Sequence, residues 1–160
     1  MRLTAIMVGL VLALGASSAM AAPAEKATGG VRFITDVAQG ETEGNEAMVS
    51  FNAQSNGPKG QVQVRVTRPS TGELVQQWHG EVDCYSQVGS TATFSGEVTK
   101  LTLGTNSNEG MYFKLTATDG GEGKNAAPDE FAMQRRATPQ ACTTALQTNQ
   151  DFAGNIQVHG

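Results

Sequence analysis

The first candidate for chemistry in this sequence is an acidic, glycine-rich stretch at residues 119–130. Its carboxylates belong to Asp119, Glu122, Asp129 and Glu130. Carboxylate oxygens are ligands that calcium prefers, but Gly121 and Gly123 stand where a helix–loop–helix calcium site needs oxygen ligands. The four acids therefore predict a calcium site of some other geometry, and the alternative is a solvated loop whose aspartates make turn hydrogen bonds.

Side chains capable of acid–base chemistry fall together on one predicted strand. His79, Glu81 and Asp83 alternate with other residues and so share one face. A histidine beside carboxylates can transfer protons or bind a metal, but such a row is more commonly the solvated face of a strand. The sequence has no zinc-type spacing of histidines and no nucleophile elbow. We therefore predict no catalytic residue, no enzyme activity and no cofactor.

Three aromatic residues raise the question of a sugar-stacking surface. They are Trp78, Tyr85 and Tyr112. Trp78 has the parity of the predicted buried face, so packing in the core or at its edge is the interpretation that we favour for the set.

Two cysteines are present, Cys84 and Cys142. In an exported chain an even number of cysteines indicates disulfide pairing. This bridge would close a loop of about 59 residues and, in the loop-entropy model, stabilise the fold by roughly 4 kcal/mol. A reactive thiol pair would need a CxxC motif or neighbouring histidines, and the sequence has neither. We predict a structural disulfide.

The elements that must position these residues are β-strands, because apolar and polar residues alternate along most of the chain. The alternating runs are centred on residues 31–37, 49–53, 62–66, 78–84, 92–98, 111–117, 131–133 and 156–158. Glycine- and proline-rich turns separate them. Short strands joined in this way predict an all-β domain, either a single antiparallel β-sandwich or a small β-barrel, with one disulfide.

Some local features qualify this pattern. Residues 39–46 and 104–110 are expected to form surface loops, and residues 138–141 a loop or at most a short helix that begins at Pro139. Gly80 and Gly96 have the inward parity, which predicts that they make room for the rings of Trp78 and Phe94.

The first 21 residues have the pattern of a secretory signal peptide. Arg2 precedes an apolar stretch at residues 3–14, and residues 19–21 offer a small-x-small cleavage pattern. The apolar stretch is short for a membrane span. We therefore expect residues 22–160 to form a single exported domain, either secreted or periplasmic.

Charge and composition limit the classes of partner. The formal net charge is −4, which argues against nucleic acid or anionic lipid because both require a basic face. No later apolar run predicts a membrane span. Strand alternation also occurs in outer-membrane barrels, but one Trp, two Tyr and six Phe are few for their aromatic girdles.

Five short motifs follow one another through the middle and end of the chain. They are G-x-V-x-C at 80–84, V-x-G-x-x-A-x-F-x-G, which this chain matches over 89–96 with Val88 directly before Gly89, D-x-G at 119–121, D-x-F at 129–131 and G-x-I-x-V at 154–158. Together they resemble a family of small secreted bacterial β-domains with no assigned activity. The resemblance implies an all-β fold, a structural role for Cys84 and no catalytic residues.

These observations predict an exported non-enzymatic β-domain that serves as a structural or interaction module. Its partner would be another protein or a cell-envelope component, bound through loops or an exposed strand edge. The alternative is a secreted protein that binds a small ligand at a barrel mouth, or calcium in the 119–130 loop.

Overall fold

The computed structural model describes residues 23–35, 44–103 and 111–160, and within these ranges all regular structure is β. The strands are β1 Lys26–Ile34, β2 Glu46–Gln54, β3 Lys59–Thr67, β4 Leu74–Val88, β5 Thr91–Leu103, β6 Tyr112–Thr118, β7 Glu130–Arg136 and β8 Ala153–His159. The predicted signal peptide, the 104–110 loop and most of the 39–46 loop lie outside the described residues. The prediction of an all-β domain is confirmed.

One antiparallel sheet contains all eight strands, in the order β7-β6-β5-β4-β3-β2-β1-β8. The first seven strands follow one another as a meander, and β8 returns to pair with β1. The sheet curls so that Phe51 on β2 contacts both Phe94 on β5 and Phe131 on β7, with ring centroids 5.4 and 6.3 Å apart. The sequence predicts either a β-sandwich or a small β-barrel, and the curled single sheet resembles the barrel.

Apolar side chains of the inward parity fill the inside of the curl. Trp78, Phe94 and Phe113 are among the largest fully buried residues, and the Trp78 and Phe113 rings lie 5.9 Å apart. Burial of such side chains is the main stabilising contribution available to a sheet of this kind. The predicted inward parity of these residues is confirmed.

The two core glycines do make room for a ring, but for a different ring from the ones predicted. A Cβ on Gly80 would lie 2.5 Å from the Phe113 ring. A Cβ on Gly96 would lie 1.8 Å from the carbonyl oxygen of Glu81 and 3.0 Å from Phe113. These glycines therefore admit Phe113 and the close approach of β4 to β5, rather than Trp78 and Phe94.

A β-bulge in β4 changes which face of the sheet the side chains after it occupy. Val82 lies opposite Gly96, whereas Cys84, two residues later, lies opposite Ser95, which is only one residue from Gly96. The extra residue shifts Cys84 to the outer face and turns Tyr85 inward. The prediction that Cys84 shares the buried parity of Trp78 and Val82 is therefore wrong.

Residues 137–152, which we call the strap, lie across the outer face of β5 and β6. Cys142 in the strap is bonded to Cys84, with the two Cα atoms 5.8 Å apart. Ser95 donates a hydrogen bond to the Gln140 carbonyl at 2.5 Å, and the Leu146 N–H donates to Thr116 at 2.9 Å. The predicted disulfide is confirmed, and the strap has no helix, which agrees with the loop that we expected at residues 138–141.

The strap explains why part of the predicted solvated face is buried. Thr93, Ser95, Lys114 and Thr116 have the outward parity, yet each is at most 7% exposed. Thr93 and Thr116 share a hydrogen bond of 3.1 Å beneath this cover. The expectation of one wet face on every strand is therefore wrong for β5 and β6, since the strap adds a second layer there.

Candidate functional site

The two edge strands, β7 and β8, lie on either side of a seam that has no continuous ladder, and β8 comes closer to β6 than to β7. One bridge joins β7 to the strap: the Phe131 N–H donates to the Asn149 carbonyl at 2.9 Å, and the Phe131 carbonyl accepts the Asn149 N–H at 3.2 Å. The ring of Phe152 then packs edge-on against Phe131, with centroids 6.0 Å apart. The chain thus enters β8 directly beside the edge of β7.

Two aspartates close the part of the seam along β8. Asp129 accepts the Ile156 N–H at 2.7 Å through one carboxylate oxygen and the Gly120 N–H at 3.0 Å through the other. Asp119 accepts the Val158 N–H at 3.0 Å and the Gly121 N–H at 2.7 Å in the same manner. Carboxylates that accept backbone N–H groups make strong, charge-assisted bonds. The edge of β8 is therefore capped by side chains instead of a neighbouring strand.

This arrangement brings three of the five sequence motifs together. Asp119 belongs to the D-x-G motif, Asp129 to D-x-F, and Ile156 and Val158 to G-x-I-x-V. Their common place in the structure is the seam, where each aspartate joins a loop to the last strand. The motifs therefore have a structural explanation that needs no ligand.

The four acids of the calcium prediction do not come together in a metal-binding group. Glu130 accepts hydrogen bonds from Thr148 at 2.5 Å and Gln150 at 3.3 Å, and these bonds lower the pKa of its carboxyl. Glu122 is exposed. Across the residues that the structure describes, no cluster of three or more histidines, cysteines or acids is placed to hold a metal ion. The structure gives Asp119 and Asp129 backbone partners, and the calcium site stays a prediction.

The three acid–base candidates on β4 and the three aromatic residues predicted as a possible sugar-stacking surface do not form sites either. His79 is half-buried and Glu81 exposed on the outer face of β4, whereas Asp83 is the bulge residue. Trp78 points into the core, and Tyr85 stacks on Phe94 at 6.4 Å. Burial, with the nearby charge of Glu25, raises the pKa of Tyr85 to about 12. Tyr112 has the opposite parity to its buried neighbour Phe113, so the three aromatic residues do not form one platform.

Beyond the aspartates, the seam opens into a hollow of about 510 Å³ between β1 and β7. We call it the cleft. The large apolar side chains that line it are Phe33, Ile34, Phe131, Met133 and Phe152. It exists because β8 begins at Ala153, opposite Arg32, so that the last residues of β1 extend past the end of β8.

Backbone groups of both bordering strands face the cleft. Phe131 bonds to the strap on the side away from β6, and Met133, two residues further along, presents its N–H and carbonyl in the same direction. On β1, Arg32 pairs with Ala153 of β8, and Ile34 continues that side of the strand with no residue of β8 opposite. Among the described residues neither Ile34 nor Met133 has a backbone hydrogen bond across the cleft.

Positive charge lies at the end of β7 beside the cleft. Arg135 donates to Gln76 across the end of the curl at 3.3 Å, and partial burial lowers the pKa of its guanidinium. Arg136 is exposed. The cleft therefore combines large apolar side chains and two strand edges with polar side chains, among them Asp151, and the two arginines lie beyond Met133 at the end of β7.

No pattern in the sequence marks the cleft residues as a group. Ile34 and Met133 belong to ordinary alternating runs, and Phe152 lies just before β8. What distinguishes them is that the last strand begins too late to cover the end of β1, which is a property of register.

Comparison with known proteins found no match: no family model, curated protein or solved structure matches the chain. The resemblance to small secreted bacterial β-domains therefore stays a prediction. In the described part of the chain no helix has the length and apolar character required to cross a membrane. The geometry of the cleft and the seam remains as the basis for a functional proposal.

Proposed function

We propose that this protein is an exported, non-enzymatic interaction domain, secreted or periplasmic, that binds a partner protein by adding an extended segment of the partner at the cleft. The observation that carries the proposal is the pair of backbone edges, at Ile34 and Met133, which border one hollow lined in part by large apolar side chains. Exposed edges of this kind are where peptides add as strands.

Export is supported by two independent features. The first 21 residues have the signal-peptide pattern. The Cys84–Cys142 disulfide is compatible with an oxidising compartment. We therefore expect the partner to be located in the cell envelope or outside the cell.

The backbone edges favour a peptide over a purely apolar ligand. Unpaired N–H and carbonyl groups that lose water without gaining a partner destabilise a complex. An extended peptide would satisfy the groups of Ile34 and Met133 and place alternate side chains against the apolar lining. An apolar small molecule would fill the same volume and leave these groups unpaired.

The arginines at the end of β7 favour acidic side chains in the part of the peptide that lies over them, whereas Asp151 in the lining of the cleft opposes acidic side chains placed next to it. Arg136 is exposed, and Arg135 retains contact with solvent. A peptide with acidic side chains next to its apolar ones would gain electrostatic attraction there, at the cost of sensitivity to salt.

Titration with synthetic peptides, followed by amide chemical shifts in NMR spectra, tests the proposal. The probe is a short peptide that alternates valine with glutamate, and its control alternates valine with lysine. We expect shifts at Ile34 and Met133 for the glutamate peptide and weaker ones for the lysine peptide. No shifts at millimolar peptide, or shifts away from the cleft, would overturn the proposal.

Met133→Pro separates strand addition from simple filling of the cleft. Proline removes the N–H that faces the cleft while leaving the bonds to β6 intact, and a sheet edge tolerates it. We expect Met133→Pro to abolish peptide binding and Met133→Leu to preserve it. If Met133→Pro does not fold, Ile34→Pro removes the N–H on the other side. Undiminished binding by a folded proline variant would contradict strand addition.

Small-ligand binding is the second candidate, favoured by the volume of the cleft and by the large apolar side chains in its lining. A medium-chain fatty acid is the probe for it. Binding of the fatty acid at the cleft, unaffected by Met133→Pro and without peptide binding, would favour this candidate over the first.

A further inference from the structure

Basic side chains that are far apart in the sequence form a band across the outer face of the sheet. Arg32 on β1 is opposite Met48 on β2, and Met48 is opposite Arg65 on β3. One row further along, Gln63 is opposite His79, which is opposite Lys100. Arg32, Arg65 and Lys100 therefore lie on the outer face of β1, β3 and β5, with His79 on β4 beside Lys100, although the chain as a whole has a formal net charge of −4.

The two arginines border a hollow of about 560 Å³. Its floor includes Gly30 and Ser50, which are cross-strand partners with little or no side chain. A Cβ on Gly30 would meet nothing within 4 Å. The hollow thus arises because small residues lie between longer ones on the same face.

The guanidinium groups are available to a ligand. Among the described residues Arg65 has no hydrogen bond or ion pair, and it is exposed. Arg32 has only a long contact of 3.9 Å with Glu46, and 58% of its side chain is exposed. Two strand spacings, about 10 Å, separate the main chains of the arginines, which lets both side chains reach one group above Met48.

We propose that this hollow binds a sugar or similar polyhydroxyl compound that carries an oxyanion, either a carboxylate or a phosphate. The oxyanion is held between Arg32 and Arg65, since guanidinium groups bind both oxyanions in paired hydrogen bonds. The side-chain amides of Gln63 and Gln77 line the same hollow and bond the hydroxyl groups. This site lies on the opposite side of the sheet from the apolar interior and does not depend on the cleft.

Calorimetric titration of the purified protein tests the site. The probes are an oligomer of galacturonic acid, glucose 6-phosphate, a neutral oligomer of glucose and inorganic phosphate. We expect binding of at least one anionic sugar in preference to both the neutral oligomer and inorganic phosphate. The galacturonate and sugar-phosphate arms identify which oxyanion is recognised.

Matched charge variants localise the binding. The double variant Arg32→Gln/Arg65→Gln removes both guanidinium groups of the hollow, and the control Lys59→Gln/Lys124→Gln removes two exposed positive charges elsewhere. We expect the first to weaken binding by about tenfold or more and the second to leave it unchanged. Met133→Pro should also leave it unchanged, which separates this site from the cleft.

Three outcomes would overturn the site. They are equal binding of the neutral oligomer or of inorganic phosphate, equal losses in the two double variants, and no binding of either anionic sugar at millimolar concentration. Both double variants change only exposed side chains, so circular dichroism and thermal unfolding should match those of the unaltered protein.

Discussion

The Asp129 carboxylate accepts the Ile156 backbone N–H at 2.7 Å and thereby joins the loop before β7 to the opposite end of the sheet order. A strand edge in a curled sheet is usually satisfied by a neighbouring strand or by water. Along β8, Asp129 and Asp119 accept the backbone N–H groups instead, and at Phe131 the strap forms the backbone hydrogen bonds. The seam is closed where these groups lie and open at the cleft.

Replacing Asp129 by asparagine should destabilise the fold. The amide retains one acceptor oxygen but presents N–H groups to either Ile156 or Gly120, so one backbone donor loses its partner. A loss of about 1–3 kcal/mol is expected, measured as the free energy of unfolding in urea. The matched control is Glu122→Gln, an exposed carboxylate of the same loop, which should unfold as the unaltered protein does. Equal stability of the two variants would contradict the role of Asp129.

Calcium should not stabilise the protein. All four carboxylate oxygens of Asp119 and Asp129 already accept backbone N–H groups, and a bound ion would have to displace these bonds. We expect no rise in the melting temperature at millimolar calcium. A rise that disappears in Glu122→Gln would instead support the calcium site predicted from the sequence.

Removing the disulfide should loosen the strap before the sheet. The double variant Cys84→Ala/Cys142→Ala loses the cross-link and is expected to lose about 2–4 kcal/mol of stability. Because the strap covers Ser95 and Thr116, protease should cleave residues 137–152 of the folded variant faster than those of the oxidised protein. Unchanged stability together with unchanged cleavage would show that the strap is held without the bridge.

Gly96→Ala should be far more damaging than Gly30→Ala. A Cβ on Gly96 would lie 1.8 Å from the Glu81 carbonyl oxygen, whereas one on Gly30 would meet nothing within 4 Å. Overpacking of this kind costs about 1–3 kcal/mol, and a clash with backbone is not relieved by a rotamer change. Both glycines lie in strands, so the pair controls for the general effect of alanine. Similar melting temperatures for the two variants would refute the close approach of β4 and β5.

Tyr85 should ionise at a higher pH than an ordinary tyrosine, and the stability of the fold should therefore depend on pH in the alkaline range. Its pKa is raised from 10.0 to about 12, so the folded state favours the neutral phenol, and this contribution to stability is present below pH 10 and lost as pH rises from 10 towards 12. Ultraviolet titration of Tyr112→Phe isolates the tyrosinate of Tyr85. Ionisation at the ordinary tyrosine pKa in the folded protein would contradict its burial against Phe94.

Alternation alone predicted most of the strands and the inward parity of residues such as Trp78 and Phe113. It failed at Cys84 and Tyr85, because one inserted residue reverses every later side chain and no local signal marks the insertion. It also failed at Lys114 and Thr116, since their burial comes from the strap.

The sequence does not predict the seam, because the residues that form it are far apart along the chain. Asp129 and Ile156 are 27 residues apart, and Asp119 and Val158 are 39 apart. Acids in a glycine-rich loop are equally typical of a calcium site and of turn hydrogen bonds, and only the course of β8 shows which backbone groups they meet. The basic band was hidden likewise, because Arg32, Arg65 and Lys100 are isolated in the sequence.

Residue-resolved amide hydrogen exchange of the protein without partner tests most directly whether the sheet is closed by the aspartates and open at the cleft. Slow exchange is predicted at Ile156 and Val158, whose N–H groups are bonded to carboxylates, and fast exchange at Ile34 and Met133. Protection at Ile34 and Met133 equal to that at Ile156, or rapid exchange at all four amides, would contradict the account.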